Sequence, residues 1–137
     1  MGHALKEIAR VLTPDGTLME FRPLGTRWPL EIIRGDRVRQ IGRVERAAHI
    51  RDDAACEVAL VEAVRAGTFL RERQQTFDLY ETAVDPSELT GPMVLPETAA
   101  EEARRQLAEA GEDARIRVRY HNILARYRKP SGGTEIF

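Results

Sequence analysis

The first part of the chain combines a helical stripe of apolar residues with a short apolar run. Residues 3–12 carry apolar side chains at i, i+3, i+4 and i+7, on one face of an amphipathic helix: Leu5, Ile8, Ala9 and Leu12. A turn follows, in which we expect Gly16 to take a positive φ at low cost. Residues 17–22 then supply apolar side chains to both faces, which is typical of a strand buried on both sides. The sequence therefore opens with a helix, a turn and a strand.

The middle of the chain predicts a β-hairpin and a second helix. Residues 30–44 predict the hairpin, in which the runs 30–34 and 37–41 flank Gly35-Asp36, a two-residue turn with glycine first, as a type II′ turn prefers. Apolar residues then repeat at helical spacing over residues 52–66: Cys56, Ala59, Leu60, Ala63 and Val64. Gly67 stands where the glycine that follows a helix belongs.

Three further elements and a loop complete the pattern. We expect residues 73–84 and 115–128 to form strands, and residues 91–96 to form a loop with two prolines. The alanine- and glutamate-rich segment 97–110 predicts a helix at the surface, because its apolar face is mostly alanine. The order helix, strand, hairpin, helix, strand, helix, strand indicates an α/β protein.

Composition indicates the number of domains and the cellular location. The 137 residues are 42% apolar and 31% charged, which suits one globular domain; we place it at residues 1–130, followed by a flexible tail at 131–137. Cys56 is the only cysteine, which excludes an internal disulfide. The net charge of −1 creates no field toward nucleic acid or membranes, and no apolar run approaches the ~20 residues that span a bilayer. Since the N-terminus has no signal-peptide hydrophobic region, we expect a cytoplasmic protein.

The opening segment also carries a family resemblance. Residues 4–18 read ALKEIARVLTPDGTL, which is a helix ending in Arg-Val-Leu, a Pro-x-Gly turn and the start of a strand. This stretch resembles the fourth helix and fifth strand of class I S-adenosylmethionine-dependent methyltransferases. Later segments are similar to the parts that follow in that family: residues 21–29 after the fifth strand, 52–69 in the next helix, 77–85 in the sixth strand and 115–130 in the seventh.

The resemblance implies a partial Rossmann-like methyltransferase unit that corresponds to the C-terminal half of the family's domain. It implies a mixed three-stranded sheet in the order first strand, last strand, middle strand, with the last strand central and antiparallel to the other two. We expect helices to flank this sheet and the hairpin at Gly35-Asp36 to project from it.

The cofactor-binding half of that domain has no counterpart in the sequence. The family holds S-adenosylmethionine with a glycine-rich turn after its first strand and an acidic residue after its second. None of the ten glycines stands in a G-x-G arrangement. We therefore expect no bound cofactor, no catalytic residues and no methyl transfer by the chain alone, unless a partner chain supplies the missing half together with S-adenosylmethionine.

The resemblance suggests two candidate surfaces. The edge that faces the methyl-acceptor pocket in the family would carry Arg22, Arg27 and Trp28 as substrate contacts. In the alternative that we favour, Trp28 packs the hairpin onto the sheet and the arginines are solvated. The first strand would also lack its fourth-strand neighbour, and a bare strand edge invites pairing. We therefore expect a homodimer through this strand and nearby residues of the first helix; the strand residues are Thr17, Leu18, Met19, Glu20, Phe21 and Arg22.

Other polar patterns have plainer explanations. Arg115, Arg117 and Arg119 alternate with apolar residues, which suits either a basic ribbon for phosphates or a strand that pairs its arginines with acids such as Asp78 and Glu81. We favour the second explanation. The three histidines stand far apart along the chain and predict no metal site.

Three functions stay open from the sequence. The first is a non-catalytic methyltransferase remnant that assembles with itself. The second is one subunit of a split methyltransferase, completed by a chain with the cofactor-binding half. The third is a small nucleic-acid or protein-binding module that uses the arginine ribbon. We expect the first, without membrane binding.

Overall fold

The computed structural model describes residues 2–47 and 50–131, and the side chains of these residues except those of 50–53. Within these ranges the helices are α1 (Gly2–Val11), α2 (Ile50–Arg65) and α3 (Glu97–Ala110), and a 3₁₀ turn covers Pro86–Glu88. The strands are β1 (Thr17–Pro23), β2 (Arg27–Arg34), β3 (Arg37–Arg46), β4 (Leu70–Ala83), β5 (Met93–Val94) and β6 (Arg115–Arg128). The protein is therefore α/β, as predicted.

The strands form one sheet in which β6 is central. The strand order is β1-β6-β2-β3-β5, and β4 lies off this path and pairs with β6. Within the described ranges, the central strand β6 therefore has three strand partners: β1, β2 and β4. β2 pairs antiparallel with β3 and with β6, and β3 pairs antiparallel with β5. β1 runs antiparallel to β6 as well, as two backbone hydrogen bonds show. Lys129 N–H donates to Gly16 O, and Leu24 N–H donates to His121 O. The first, last and middle predicted strands thus have the expected order, β1-β6-β4.

The sheet is larger than the sequence predicts, and it is antiparallel rather than mixed. The prediction of a projecting hairpin is wrong, because β2 pairs with β6 from Leu30 to Ile33. Leu30 and Ile32 are only 3% and 4% exposed, and a projecting hairpin could not bury them. The predicted loop at residues 91–96 contains the short strand β5, which pairs with the end of β3.

The two predicted glycine positions at chain reversals are confirmed. Gly35 has φ 61°, as the first central residue of a type II′ turn requires, and the strand partners Arg34 and Arg37 flank the turn. After α2, Gly67 has φ 77° and donates to Val64 O, while Thr68 N–H donates to Ala63 O. These two bonds are the Schellman pattern, which satisfies the last carbonyls of the helix.

The turn before β1 uses its glycine differently from the prediction. Asp15, not Gly16, has the positive φ, at 65°. A Cβ on Gly16 would lie 2.7 Å from Thr13 O, closer than two such atoms can approach. Glycine is therefore required at position 16 for space rather than for its φ.

The chain clusters into two compact units. The first unit contains the described residues of the ranges 1–22, 49–77 and 123–137, and the second contains those of 23–48 and 78–122. The single domain expected over residues 1–130 therefore contains two clusters. Most of the expected tail, residues 132–137, lies outside the described residues.

The core of the first unit joins the two predicted helical stripes to β6. Its most buried residues are Leu5, Leu60, Phe69, Ala125 and Tyr127, each below 7% exposure. The remaining stripe residues pack against them half-buried: Ile8, Ala9 and Leu12 from α1 and its end, and Cys56, Ala59, Ala63 and Val64 from α2. Both predicted helix phases are thereby confirmed.

The core of the second unit contains α3, which the sequence places at the surface. Ala103 is fully buried and Leu107 is 9% exposed, in one cluster with Ile32, Ile116 and Val118. The small alanine side chains allow the helix to approach the sheet, so an alanine face does not indicate an outer position here.

Candidate functional site

The outer edge of β1 carries backbone groups that lie without a strand partner in the described part of the chain. The bonds at Gly16–Lys129 and Leu24–His121 are eight residues apart on both strands, so no residue is inserted between them. In an antiparallel ladder every second residue bonds to the neighbouring strand. The even-numbered residues of β1 therefore face β6. The N–H and C=O groups of Thr17, Met19 and Phe21 point away from β6, as the sequence predicts for a bare edge.

One face of β1 is exposed, whereas the sequence predicts a strand buried on both sides. Burial alternates along the strand, and Met19 and Phe21 are 53% and 55% exposed. Phe21 contacts Phe77 of β4, with ring centroids 5.7 Å apart. Beside them, a depression of about 210 Å³ is lined by Met19, Arg73, Gln75, Leu124 and Arg126. In the described residues of the first unit, helices α1 and α2 supply the buried cluster and leave this face of β1 uncovered.

Arg22, a predicted substrate contact, is held by two carboxylates in the first unit. It forms ion pairs with Glu20 of its own strand and Glu57 of α2. Burial lowers the pKa of Arg22, but the hydrogen bond and charge of Glu20 and the charge of Glu57 outweigh it and raise the pKa overall. Tyr127 Oη also donates to Glu20, over 3.1 Å. The guanidinium is therefore engaged within the protein, and the expectation that Arg22 is solvated is wrong.

Arg27 and Trp28, the other predicted substrate contacts, lie in the second unit. Trp28 is fully buried, donates from Nε1 to Leu24 O over 2.9 Å, and meets Tyr120 edge-to-face at 4.9 Å. Trp28 is therefore a packing residue, as in the favoured alternative, but its hairpin is part of the sheet rather than packed onto it. Arg27 is exposed and pairs across the strands with Glu45. Its role as a substrate contact stays a prediction.

Two arginines of the β6 ribbon, Arg117 and Arg119, are held by a buried acid that the sequence does not predict. Glu31 of β2 is 3% exposed and accepts hydrogen bonds from Arg117 over 2.9 Å and from Arg119 over 2.6 Å. Tyr80 of β4 lies beneath both guanidiniums, 4.5 and 5.9 Å from its ring centre. The signal for Glu31 is its position among apolar residues of β2, where a carboxylate needs partners.

The two acids proposed from the sequence have different roles. Asp78 lies 4.0 Å from Arg119 and 2.6 Å from His121 Nδ1, so it does pair with the ribbon. Glu81 instead accepts from Tyr120 Oη over 2.7 Å and from the backbone N–H groups of Thr90 and Gly91.

The Glu81 contacts fix the loop before β5. Burial raises the pKa of Glu81, but its hydrogen bonds with Thr90, Tyr120 and Gly91 outweigh this and lower the pKa overall. Burial, followed by the hydrogen bond to Glu81, raises the pKa of Tyr120. A Cβ on Gly91 would lie 1.9 Å from Tyr120 Oη, so only glycine fits at that position. The contacts of this cluster are therefore explained by its role in holding the loop.

The described residues contain little for metal or nucleophilic chemistry. They hold no group of three or more histidine, cysteine, aspartate or glutamate residues that could bind a metal ion. His49 lies outside the described residues. Cys56 is half-buried, and burial, followed by the charge of Glu20, raises the pKa of its thiol, which disfavours the reactive thiolate. None of the described helices is long and apolar enough to cross a membrane.

No protein-family model, no curated protein and no solved structure matches the chain.

Proposed function

We propose that this chain is a non-catalytic, methyltransferase-like protein whose function is to associate with a second copy of itself along β1. The resemblance of residues 4–18 to class I methyltransferases is the basis for the family. The order β1-β6-β4, with β6 central and antiparallel, is the order that this resemblance implies and supports a Rossmann-like origin. The observation that carries the proposed association is the unpartnered outer edge of β1.

The backbone of this edge is suited to accept another strand. Thr17, Met19 and Phe21 each direct one donor and one acceptor outward, and these groups can pair with a new antiparallel strand. Pro23 has no N–H but offers its carbonyl. Because Met19 and Phe21 are more than half exposed, the same association would remove apolar side chains from water.

The sequence of β1 is complementary to itself in one antiparallel register. If Phe21 lies on the twofold axis, Glu20 of one copy stands opposite Arg22 of the other, and this occurs on both sides of the axis. An aromatic cross-strand pair contributes roughly 0.2–1 kcal/mol, and this register places no like charges opposite each other. Such a twofold interface is the commonest way to close a homo-oligomer. These features favour a second copy of the chain as the occupant of the edge.

A site-specific cross-link tests this register. In a Cys56→Ala background, Phe21→Cys should form a disulfide-linked dimer under mild oxidation, because paired positions on a twofold axis have Cα atoms within roughly 4.4–6.8 Å. Val58→Cys is the matched control, since Val58 is equally exposed, at 56%, but lies on α2. Equal cross-linking of the two variants, or none in either, would contradict the proposed interface.

A split methyltransferase is the second candidate, since the same edge could receive the fourth strand of a partner. It differs in one outcome: S-adenosylmethionine would bind when the chain with the cofactor-binding half is added. The ribbon hypothesis has less support, because Glu31 already holds Arg117 and Arg119.

A further inference from the structure

Three arginines at the tip of the β2–β3 hairpin have no acidic partner among the described residues. Arg34 and Arg37 lie directly opposite each other across the turn, and Arg39 follows two residues along β3, opposite Ile32. None of the three forms an ion pair or a side-chain hydrogen bond in the described part of the chain. Like charges directly opposite in a sheet destabilise it. The hairpin therefore keeps an unfavourable arrangement that an anion would relieve.

Nearby acids do not supply this anion. Glu109, at the end of α3, lies beside the arginines, but its Oε1 accepts from Arg105 over 2.6 Å. Asp36 and Asp113 line an adjoining depression with Arg34 and Arg37, yet neither lies within the 4.0 Å of an ion pair. The positive charge at the tip is therefore only partly balanced.

The carboxyl end of α3 provides a stabilising contact for only one of the three arginines. A helix end of this kind carries partial negative charge and favours a nearby cation. The Cζ atom of Arg34 lies 3.9 Å from the place of a Cβ on Gly111, the residue that follows α3, so this guanidinium lies over the helix end. No atom of Arg37 or Arg39 lies within 4 Å of that place.

The three side chains line an open depression of about 500 Å³. Its other walls are Ile32, Val38 and Ala110, which are apolar, together with Glu109. This volume lies within the roughly 300–1,000 Å³ of small-molecule sites. The depression thus combines converging cationic groups with an apolar wall, as a site for an amphiphilic anion would.

We propose that this depression binds a phosphate monoester of a small apolar molecule. A phosphate monoester carries about −1.5 to −2 charges at neutral pH and three acceptor oxygens, which matches three guanidiniums better than a carboxylate does. The apolar part of the ligand lies against Ile32, which shares the sheet face of the three arginines, and Ala110. This site is independent of the β1 edge, so its failure leaves the proposed self-association untouched.

Binding is tested with phenyl phosphate, inorganic phosphate and benzoate, followed through the backbone amide resonances of Gly35, Asp36 and Val38. Phenyl phosphate should shift these resonances saturably and bind about tenfold more tightly than either of the other two probes. It is the only one of the three that combines a phosphate group with an apolar ring. Arg37→Gln should weaken binding by about tenfold, as expected for the loss of one charge-assisted contact. Arg65→Gln, which removes an exposed arginine from the end of α2, should leave it unchanged.

Three results would overturn the proposal. They are the absence of saturable shifts up to on the order of 10 mM phenyl phosphate, binding by Arg37→Gln equal to that of the wild type, and benzoate binding as tightly as phenyl phosphate. If Arg37→Gln does not give the wild-type spectrum outside the hairpin, Arg39→Gln provides the same test from the neighbouring position.

Discussion

Glu31 of β2 and Arg117 of β6 lie directly opposite each other in the sheet, and the guanidinium donates to the carboxylate over 2.9 Å. Arg119 donates to the other carboxylate oxygen over 2.6 Å. The hydrogen bond to Glu31, together with its charge, raises the pKa of Arg119 despite the opposing effect of burial. Glu31 therefore makes it possible for two arginines of β6 to lie on the sheet without a bound anion.

Glu31→Gln should lower the free energy of unfolding by about 2 kcal/mol, because it leaves Arg117 without a charged acceptor and Arg119 with only the more distant Asp78, at 4.0 Å. Denaturant unfolding followed by circular dichroism measures this. Glu101→Gln, an exposed change on α3, should cost less than ~0.5 kcal/mol. A loss as small in Glu31→Gln as in the control would mean that the buried pair contributes nothing.

Leu60→Ala should lower the free energy of unfolding by about 2–5 kcal/mol, the range for truncation of a buried leucine. Leu60 is 2% exposed in the core between α1, α2 and β6. Arg65→Ala, on the exposed side of the same helix, should cost less than ~0.5 kcal/mol. Similar losses in the two variants would show that the apolar stripe of α2 is not buried.

Glu81 should make stability depend on pH in the acidic range. Its pKa is lowered in the folded protein, so its contribution is present above the ordinary pKa of about 4.3 and is lost as the pH falls through the folded value. Wild type should therefore exceed Glu81→Gln by about 1 kcal/mol at pH 7, and the difference should shrink below about pH 4. Unfolding at a series of pH values tests this; a difference that stays constant down to pH 3 would contradict it.

The isolated chain should not bind S-adenosylmethionine or S-adenosylhomocysteine, because the glycine-rich turn and the ribose-binding acid of the family are absent from its sequence. Isothermal titration calorimetry with each ligand tests this expectation. A stoichiometric site with a dissociation constant in the micromolar range would refute it and would remove the basis for a non-catalytic role.

Local structure follows closely from the sequence in this protein. The bounds of α3 and β6 are those that the pattern predicts, and the turn at Gly35 and the end of α2 at Gly67 follow from glycine chemistry. Each of these features depends on residues near one another along the chain. Pairing between distant strands does not, so the position of β2 beside β6 and the short β5 were not predictable from periodicity alone.

In the candidate sites, too, local features are predictable from the sequence and contacts between distant residues are not. The bare outer edge of β1 is predictable, because it needs only a strand assignment and the resemblance. The hydrogen bonds from two arginines to Glu31 are not predictable, because those arginines are 86 and 88 positions away from Glu31 in the sequence. The hairpin itself predicts that Arg34 and Arg37 face each other, but only the structure shows that no described acid pairs with them.

Sedimentation of the wild type and Met19→Pro at micromolar concentration tests the proposed self-association most directly. The N–H of Met19 points away from β6, so proline there removes an outward donor without breaking a bond to β6. Met19→Ala is the control, since it shortens the side chain but keeps the N–H. The wild type and Met19→Ala should sediment as dimers and Met19→Pro as a folded monomer with an unchanged circular dichroism spectrum. A wild type that is monomeric, or a Met19→Pro variant that stays dimeric, would contradict association through β1.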